Sequence, residues 1–299
     1  MVIKGALTFP GDKSISHRAL MFAALADGES RISNLSTGAD VQSTRECLEA
    51  CGIEIKDDGN DVVVKGEQFS DPTKPLDCGN SGTTTRLLLG LLAGQGINAT
   101  LVGDDSLSSR PMNRILDPLS QMGLISESND GKLPITIHKS DMTGIHYESP
   151  VASAQIKSAV FLAALGASGK TSFKEPILSR DHTEKMLHGL GANISIDGLT
   201  ATISNLTSPL SNFEISVPGD PSTAAFFAAS AALVPNSEIV LNRILANPLR
   251  TGLFAALERM GAGMECLDQW DEAGERIGNL KIFHQPMIGI SITKTGVPG

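Results

Sequence analysis

The sequence predicts a mixed α/β protein built from repeated units, and three observations carry that prediction. Stretches with the helical spacing of apolar residues alternate with strand-like stretches along the whole chain. Four segments end a helix in one way: Leu48-Glu-Ala-Cys-Gly52, Leu119-Ser-Gln-Met-Gly123, Leu187-His-Gly-Leu-Gly191 and Leu257-Glu-Arg-Met-Gly261. Each sets a leucine on the apolar face four residues before a glycine suited to a left-handed C-terminal cap. Successive glycines lie about 70 residues apart, a regularity that marks an internal repeat.

Each unit reads as a Gly/Ser/Thr-rich turn opening an apolar helix, a strand, a second helix ending Leu-x-x-x-Gly, then two strands. Unit one gives a helix over 14–27 closed at Gly28, a strand over 31–35, a helix over 39–51, and strands Ile53-Glu-Ile-Lys56 and Asp61-Val-Val-Val-Lys65 about an Asp57-Asp-Gly-Asn60 turn. Unit two opens at Gly79-Asn-Ser-Gly-Thr-Thr-Thr-Arg86, its helix runs on to Leu92, and Pro111 stands where a second helix starts. Unit three opens at Ser153-Ala-Gln-Ile-Lys-Ser158. Unit four opens at Pro218-Gly-Asp-Pro-Ser-Thr-Ala-Ala225, with Pro221 starting the helix and Ser222 and Thr223 capping it. The fourth opening echoes Pro10-Gly-Asp12 of the first. At 299 residues the chain should hold two domains. If units one to three form one and unit four begins a copy of it, the whole protein has six units and about 420 residues. The chain reaches Gly299 just after Pro286-Met-Ile-Gly-Ile-Ser-Ile292 begins a fifth strand set, so it reads as a fragment.

Three unit openings carry cations in or beside hydroxyl-rich turns: Lys13 and Arg18, then Arg86, then Lys157. The second-helix starts add Ser108-Ser109-Arg110-Pro111 and Ser179-Arg180-Asp181-His182-Thr183. The first turn of a helix presents unpaired N–H groups and the positive dipole end, so converging starts of this kind make an oxyanion site. Lys13 offers a compact charge and Arg18 a planar fork for carboxylate or phosphate. Unit four lacks a cation in its opening and reads as structural.

The net charge of −9 and the absence of a basic run argue against nucleic acid as a partner. Cys47, Cys51, Cys78 and Cys266 form no Cys-x-x-Cys pair and have no clustered histidines, which favours reduced, partly buried thiols over zinc or disulfides. The histidines show no local spacing for a metal. His17 and His182 read as hydrogen-bonding residues rather than general bases. Met1 to Gly5 has no apolar signal core and no apolar run reaches membrane-spanning length, so the expectation is a cytoplasmic protein without a membrane partner. Ala164-Leu-Gly-Ala-Ser-Gly-Lys170-Thr171 matches a loose phosphate-binding loop, but a helix leads into it and a strand leads out, the reverse of the order such a loop needs.

Pro-Gly-Asp-Lys-Ser-Ile-Ser-His-Arg-Ala, Gly-Asn-Ser-Gly-Thr-x-x-Arg-Leu, Ser-x-x-Arg-Pro-Met, Ser-Ala-Gln-Ile-Lys-Ser and Ser-Arg-Asp-His-Thr-Glu-x-Met-Leu together resemble the bacterial type of 5-enolpyruvylshikimate-3-phosphate (EPSP) synthase. The resemblance covers essentially the whole chain in order. It implies the two-domain enolpyruvyl transferase fold of repeated βαβαββ units, here with the second domain incomplete: residues 12–217 as a three-unit domain, and 1–11 plus 218–299 as part of the second. It implies transfer of the carboxyvinyl group of phosphoenolpyruvate to the 5-hydroxyl of shikimate 3-phosphate, with release of phosphate, no metal, no organic cofactor and a monomeric full-length form.

Carried over by motif, Lys13 is catalytic and contacts both substrates. Ser14 and Arg18 face the shikimate moiety, with Arg18 on its carboxylate. Ser153, Gln155, Ser179 and Arg180 hold the shikimate phosphate, with Gln155 also bridging to phosphoenolpyruvate. Asn80, Gly82, Thr83 and Arg110 line the phosphoenolpyruvate site. Ala154 stands where some members carry another serine, and Lys157 and Arg86 read as supporting residues. Glycine at position 82 implies sensitivity to glyphosate. The family's catalytic Asp and Glu, two further arginines and a lysine fall beyond residue 299, so the expectation is that this polypeptide alone is inactive. Two other readings compete: the sister transferase acting on a UDP-amino sugar, which carries Lys-Asn where this chain has Lys13-Ser14, and a non-catalytic shikimate-phosphate binder.

Overall fold

The computed structural model describes residues 2–292. The chain opens with β1 (Lys4–Thr8) and then runs through four units of one pattern. The first holds α1 (Lys13–Ala24), β2 (Ala26–Ser33), α2 (Ala39–Ala50), β3 (Glu54–Asp58) and β4 (Asp61–Gly66), and leaves through β5 (Leu76–Asp77). The second holds α3 (Gly82–Gly94), β6 (Ala99–Val102), the one-turn α4 (Asp105–Ser108), α5 (Asn113–Gln121), β7 (Ile125–Asn129) and β8 (Lys132–His138), and leaves through β9 (His146–Glu148). The third holds α6 (Ala154–Ala164), β10 (Lys170–Lys174), α7 (His182–Gly189), β11 (Ile194–Asp197) and β12 (Thr200–Ser204), and leaves through β13 (Leu210–Ser211) and β14 (Glu214–Ser216). The fourth holds α8 (Pro221–Leu233), β15 (Glu238–Leu245), α9 (Gly252–Arg259), β16 (Gly263–Glu272) and β17 (Glu275–Phe283).

The repeat extends to the hydrogen bonds. All four leucine-to-glycine helix ends close in the same way: Gly52, Gly123, Gly191 and Gly261 have φ of +91°, +108°, +85° and +95°, and the residue after each donates its N–H back to the leucine carbonyl. That is the paired-bond cap whose left-handed residue favours glycine, so the sequence pattern and the fold agree. Each unit also builds its sheet in one order: an entering strand parallel to the strand between the helices, then the last strand, then the one before it. The orders are β5-β6-β8-β7, β9-β10-β12-β11 and β1-β15-β17-β16. In the first unit β13 and β14 take the entering place beside β2. The third unit thus hands its exit strands back to the first, and the three close into a ring.

Two apolar cores result. The larger gathers α1, α3 and α6 with the inner faces of the first three sheets, including Phe22, Leu88, Phe161 and Phe173, and Leu245 of the fourth unit joins it. The smaller packs Phe9, Ala224, Ala228, Ile239, Leu241, Phe254 and Ile282. The chain passes between them twice, and the two passages lie side by side: the Asp12 N–H donates to Pro218 O at 2.7 Å and the Asp220 N–H to Pro10 O at 3.1 Å. A side chain at position 11 would meet Asn34 O at 2.1 Å, so this close approach requires glycine. The echo of Pro-Gly-Asp in the sequence therefore marks two passages joined by an isolated antiparallel bridge between Gly11 and Gly219.

Several boundaries differ from the sequence reading. α1 stops at Ala24 rather than 27, because β2 already begins at Ala26 and pairs with β4; Gly28 sits inside that strand and caps nothing. β2 ends at Ser33, where Asn34 turns to φ +53°. Pro111 precedes α5 instead of starting it, with Met112 at the cap. The α8 cap is Asp220, whose carboxylate accepts from the Ser222 N–H at 2.7 Å; Ser222 and Thr223 lie inside the helix. Pro286 to Ile292 forms no strand, since no strand among the described residues lies beside it to share a ladder. The phosphate-loop lookalike lies between α6 and β10, the order that the contextual argument requires of a decoy. Cys47, Cys51 and Cys78 are buried thiols and Cys266 is exposed. No helix among the described residues is long and apolar enough to cross a membrane.

Candidate active site

The N-terminal ends of α1, α3 and α6 are tied to one another and to α2 and α7 by buried polar bonds. Asp12, Ser81 and Ser153 cap the three helices, accepting from Ile15, Thr84 and Ile156. His17 Nδ1 shares a hydrogen bond with Thr44 Oγ1 at 2.7 Å, Thr44 shares one with Thr84 at 2.7 Å, and Thr84 donates to Ser81 at 2.7 Å, so one chain of hydroxyls joins the starts of α1 and α3. Burial and the charges of Lys13 and Arg18 push the His17 imidazole down to about 3. It is neutral at physiological pH and too weak a base for proton abstraction.

Lys13 is the first residue of α1, half exposed, and its ammonium pairs with Asp40 at the start of α2. Ser14 follows on the same turn, and its carbonyl accepts from Arg18 Nη1 at 2.9 Å. Arg18 is 3% exposed and donates from Nε to Thr183 Oγ1 at 2.8 Å and from Nη2 to Ser158 Oγ at 2.6 Å, bracing α1 against α6 and α7. Burial lowers this guanidinium to about 10, with Glu184 and Asp12 opposing the shift, so it remains charged.

A second cluster surrounds Gly82. A Cβ there would stand 2.6 Å from Arg86 Nη1 and 3.5 Å from Arg110 Nη1, so both guanidinium groups face the start of α3, and a side chain at this position would displace the Arg86 head group. Arg86 donates to Gln155 Oε1 at 3.0 Å and Gln155 Nε2 to Thr83 Oγ1 at 3.1 Å, which joins α3 to α6. Arg110 donates to Asn80 Oδ1 at 2.8 Å and to Ser106 Oγ at 3.2 Å; Asn80 in turn donates to Asp104 at 2.6 Å. These arginines thus hydrogen-bond to neutral amides and a hydroxyl. Burial and the nearby charges of Arg110 and Arg114 lower the Arg86 guanidinium, which marks its surroundings as cationic.

The third group lies at the start of α7. Ser179 is buried and donates to Glu175 Oε2 at 2.6 Å. Burial and the charge of Arg250 lower the Arg180 guanidinium, whose Nε has no partner among the described residues. Arg180 opens on a cavity of about 460 Å³ shared with Ser222, Arg250 and Arg259. A larger cavity, about 580 Å³, lies at the opposite, C-terminal ends of α1, α3 and α6 beside Leu25, Gln95 and Leu165, away from the cations.

Several working residues escaped the sequence reading. Arg250 is the largest omission: it precedes α9 as Arg180 precedes α7, eleven residues before each terminal glycine, so the repeat itself held the signal. It bonds Asp12 at 2.7 Å and Asp220 at 3.2 Å, clamping the two passages between the cores, and unit four is therefore not without a cation. Burial alone would raise the Asp12 carboxyl, but Arg250 and His182 together with the Ile15 amide hold it below its ordinary value. Histidine also finds carboxylates that local spacing could not reveal: His182 Nδ1 lies 2.7 Å from Glu275 Oε1, with Asp181 close by. The Asn247 amide stands between the two carboxylates and donates to Asp181 at 2.7 Å and Glu275 at 3.1 Å, so the group is a hydrogen-bonded clamp between α7 and β17.

Repeated α/β units, a closed three-unit ring and arginines at helix starts define the class of protein: a ring of α/β units whose helix N-termini carry cations. The comparisons narrow this class. The family model for EPSP synthase (3-phosphoshikimate 1-carboxyvinyltransferase) matches residues 2–296. The 3-phosphoshikimate 1-carboxyvinyltransferase of Bacillus cytotoxicus is 44% identical over 99% of this chain and 71% of its own length, and that of Geobacillus thermodenitrificans is 46% identical over 99% and 69%. The solved EPSP synthase of Acinetobacter baumannii superposes with a TM-score of 0.92 at 37% identity, covering 99% of this chain and 68% of that one. The chain belongs to the EPSP synthase family. Its fold is that of the family, and the UDP-amino-sugar reading is set aside.

Proposed function

We propose that the chain binds phosphoenolpyruvate and shikimate 3-phosphate and serves the transfer of the carboxyvinyl group to the shikimate 5-hydroxyl, releasing phosphate. The observation that carries this reading is the set of arginines facing helix starts with neutral hydrogen-bond partners, Arg86 and Arg110 about Gly82, in a chain of this family. Two polyanions must be held together while charge develops at the enol carbon and at the departing phosphate, and preorganised cations and helix N-termini supply that stabilisation. In this reading Lys13 contacts both substrates, and Ser14 and Arg18 position the shikimate ring. Ser153, Gln155, Ser179 and Arg180 take its phosphate, and Asn80, Gly82, Thr83 and Arg110 take phosphoenolpyruvate. The bare Gly82 leaves space for glyphosate in the same pocket. In the same reading residues 12–217 form one domain, and 1–11 with 218–299 belong to the second.

Calorimetric titration of the chain with shikimate 3-phosphate, beside an assay of phosphate release with both substrates, tests the reading. Saturable binding that Arg180→Ala weakens about tenfold or more supports it, a loss in line with one charged hydrogen bond. Binding unaffected by Arg180→Ala would move the phosphate elsewhere, and absence of binding would end the proposal.

A further inference from the structure

The contact that holds Ser179 raises a question of charge that the proposed phosphate site must answer. The Ser179 hydroxyl spends its one proton on Glu175 Oε2 at 2.6 Å, so only lone pairs remain for any further partner. Behind it lies a buried triad: Lys157 Nζ stands 2.6 Å from Glu175 Oε1 and 2.6 Å from Glu184 Oε1, and all three side chains are 3% exposed or less. One ammonium between two carboxylates leaves an excess negative charge in the interior. Glu184 Oε2 is also buried without a hydrogen-bond partner among the described residues. The other charges facing Glu184 are Arg18 from α1 and Asp181 at the start of its own helix, which oppose one another.

A phosphate dianion cannot accept from a hydroxyl turned the other way. For Ser179 to donate to it, the hydroxyl must rotate, which strips Glu175 Oε2 of its donor and brings two further negative charges beside a triad that already carries one too many. We propose that binding of a phosphate monoester at Ser179 is coupled to the uptake of one proton by the Glu175–Lys157–Glu184 triad. The inference rests on the assignment of Ser179 to the phosphate of shikimate 3-phosphate. The proton comes from solvent, adds to a carboxylate of the triad, and leaves the complex with one ammonium, one carboxylate and one carboxylic acid. Burial, only partly offset by Lys157, raises the Glu184 carboxyl, which makes it the nearest acceptor. Ser179 is then a donor that is switched rather than fixed, and the triad a positioning group that touches no substrate.

Titrations with shikimate 3-phosphate in buffers of equal pH but different ionisation enthalpy read the proton directly. They are run above about pH 7.5, where a phosphate ester with its second pKa near 6 is already a dianion. The intact chain should take up protons, approaching about one per ligand at the pH of greatest linkage. Glu184→Gln should bind the ligand with that uptake reduced to near zero. Ser179→Ala should also lose it, at reduced affinity, because Glu175 then lacks the hydroxyl before and after binding. Heats that do not change with buffer in the intact chain would overturn the coupling while leaving the phosphate assignment standing, as would uptake that survives in both variants. No binding heat at all would remove the assignment and the coupling with it.

Discussion

α1 and α8 open on the same three residues, Pro-Gly-Asp, and both begin from an aspartate cap, yet they bury opposite chemistry. Six residues after the cap, α1 carries Arg18, 3% exposed, and α8 carries Phe226, 77% exposed. Hydropathy alone would exchange the two. The difference lies in the neighbours. α1 is enclosed by α3, α6 and α7, whose Ser158 and Thr183 hydroxyls receive the guanidinium, so its charge is buried with its donors partnered. α8 packs against β15, β17 and α9 through Ala224, Ala228 and Ala231, with Phe227 set edge-on against Phe9 at 5.4 Å, while Phe226 and Leu233 face away from that core. A helix apolar on all sides implies neighbours on all sides. The ring of three units supplies them to α1; the described part of unit four supplies them to one face of α8.

The largest effect that should break this contrast is at Arg18. Arg18→Leu puts the residue type that hydropathy favours into the interior of α1, but it leaves the Ser158 and Thr183 hydroxyls without their donor and removes a counter-charge from Glu184. Loss of one partner from a buried charged network costs about 3–5 kcal/mol, and urea unfolding followed by circular dichroism should show it. A variant as stable as the parent would mean that the guanidinium is carried for ligands alone.

Next in size is a pH effect from the neighbouring position, where α1 has His17 and α8 has Ala225. The folded state holds His17 at about 3 against an ordinary value of 6.5, so the unfolded chain takes up the proton first. Stability is therefore lost as pH falls below 6.5 and continues to fall until about pH 3. At about 1.4 kcal/mol per pH unit, the descent from 6.5 to 5 costs about 2 kcal/mol. His17→Asn, which keeps a polar atom within reach of Thr44, should flatten that part of the pH profile. An unchanged slope would assign the acid loss to other groups.

How much of this was legible depends on the range over which each feature is encoded. The four glycine caps are local, and both their positions and their left-handed conformation could be read from Leu-x-x-x-Gly. The helix starts with Lys13, Gly82 and Ser153 are local too. Gly28 misled because the end of α1 is decided by β2 pairing with β4, a contact between residues more than thirty positions apart in sequence. Arg18 with Ser158, Arg250 with Asp12, and His182 with Glu275 join residues separated by 140, 238 and 93 positions, and no spacing announces such pairs. For Arg250 the internal repeat was enough in principle, since Arg180 marks the same place one unit earlier. Pro286 to Ile292 has the composition of a strand, but a strand is defined by its partner.

The smallest effect on folding sharpens the comparison from the other side. Phe226→Arg gives α8 the residue that α1 carries at the same place. Phe226 is 77% exposed, so the substitution removes little buried area and should change unfolding free energy by no more than about 0.5 kcal/mol. It should act instead on the apolar patch that Phe226 forms with Phe227 and Leu233, lowering the fluorescence of a hydrophobic dye and slowing aggregation of the purified chain. Arginine is tolerated on a helix and keeps its charge in water there, whereas in α1 the same residue is buried against two hydroxyls, the Ser14 carbonyl and the opposing charges of Glu184 and Asp12. A loss of several kcal/mol would mean that the outer face of α8 is covered in solution, and light scattering of the parent chain would then reveal a second copy seated on it.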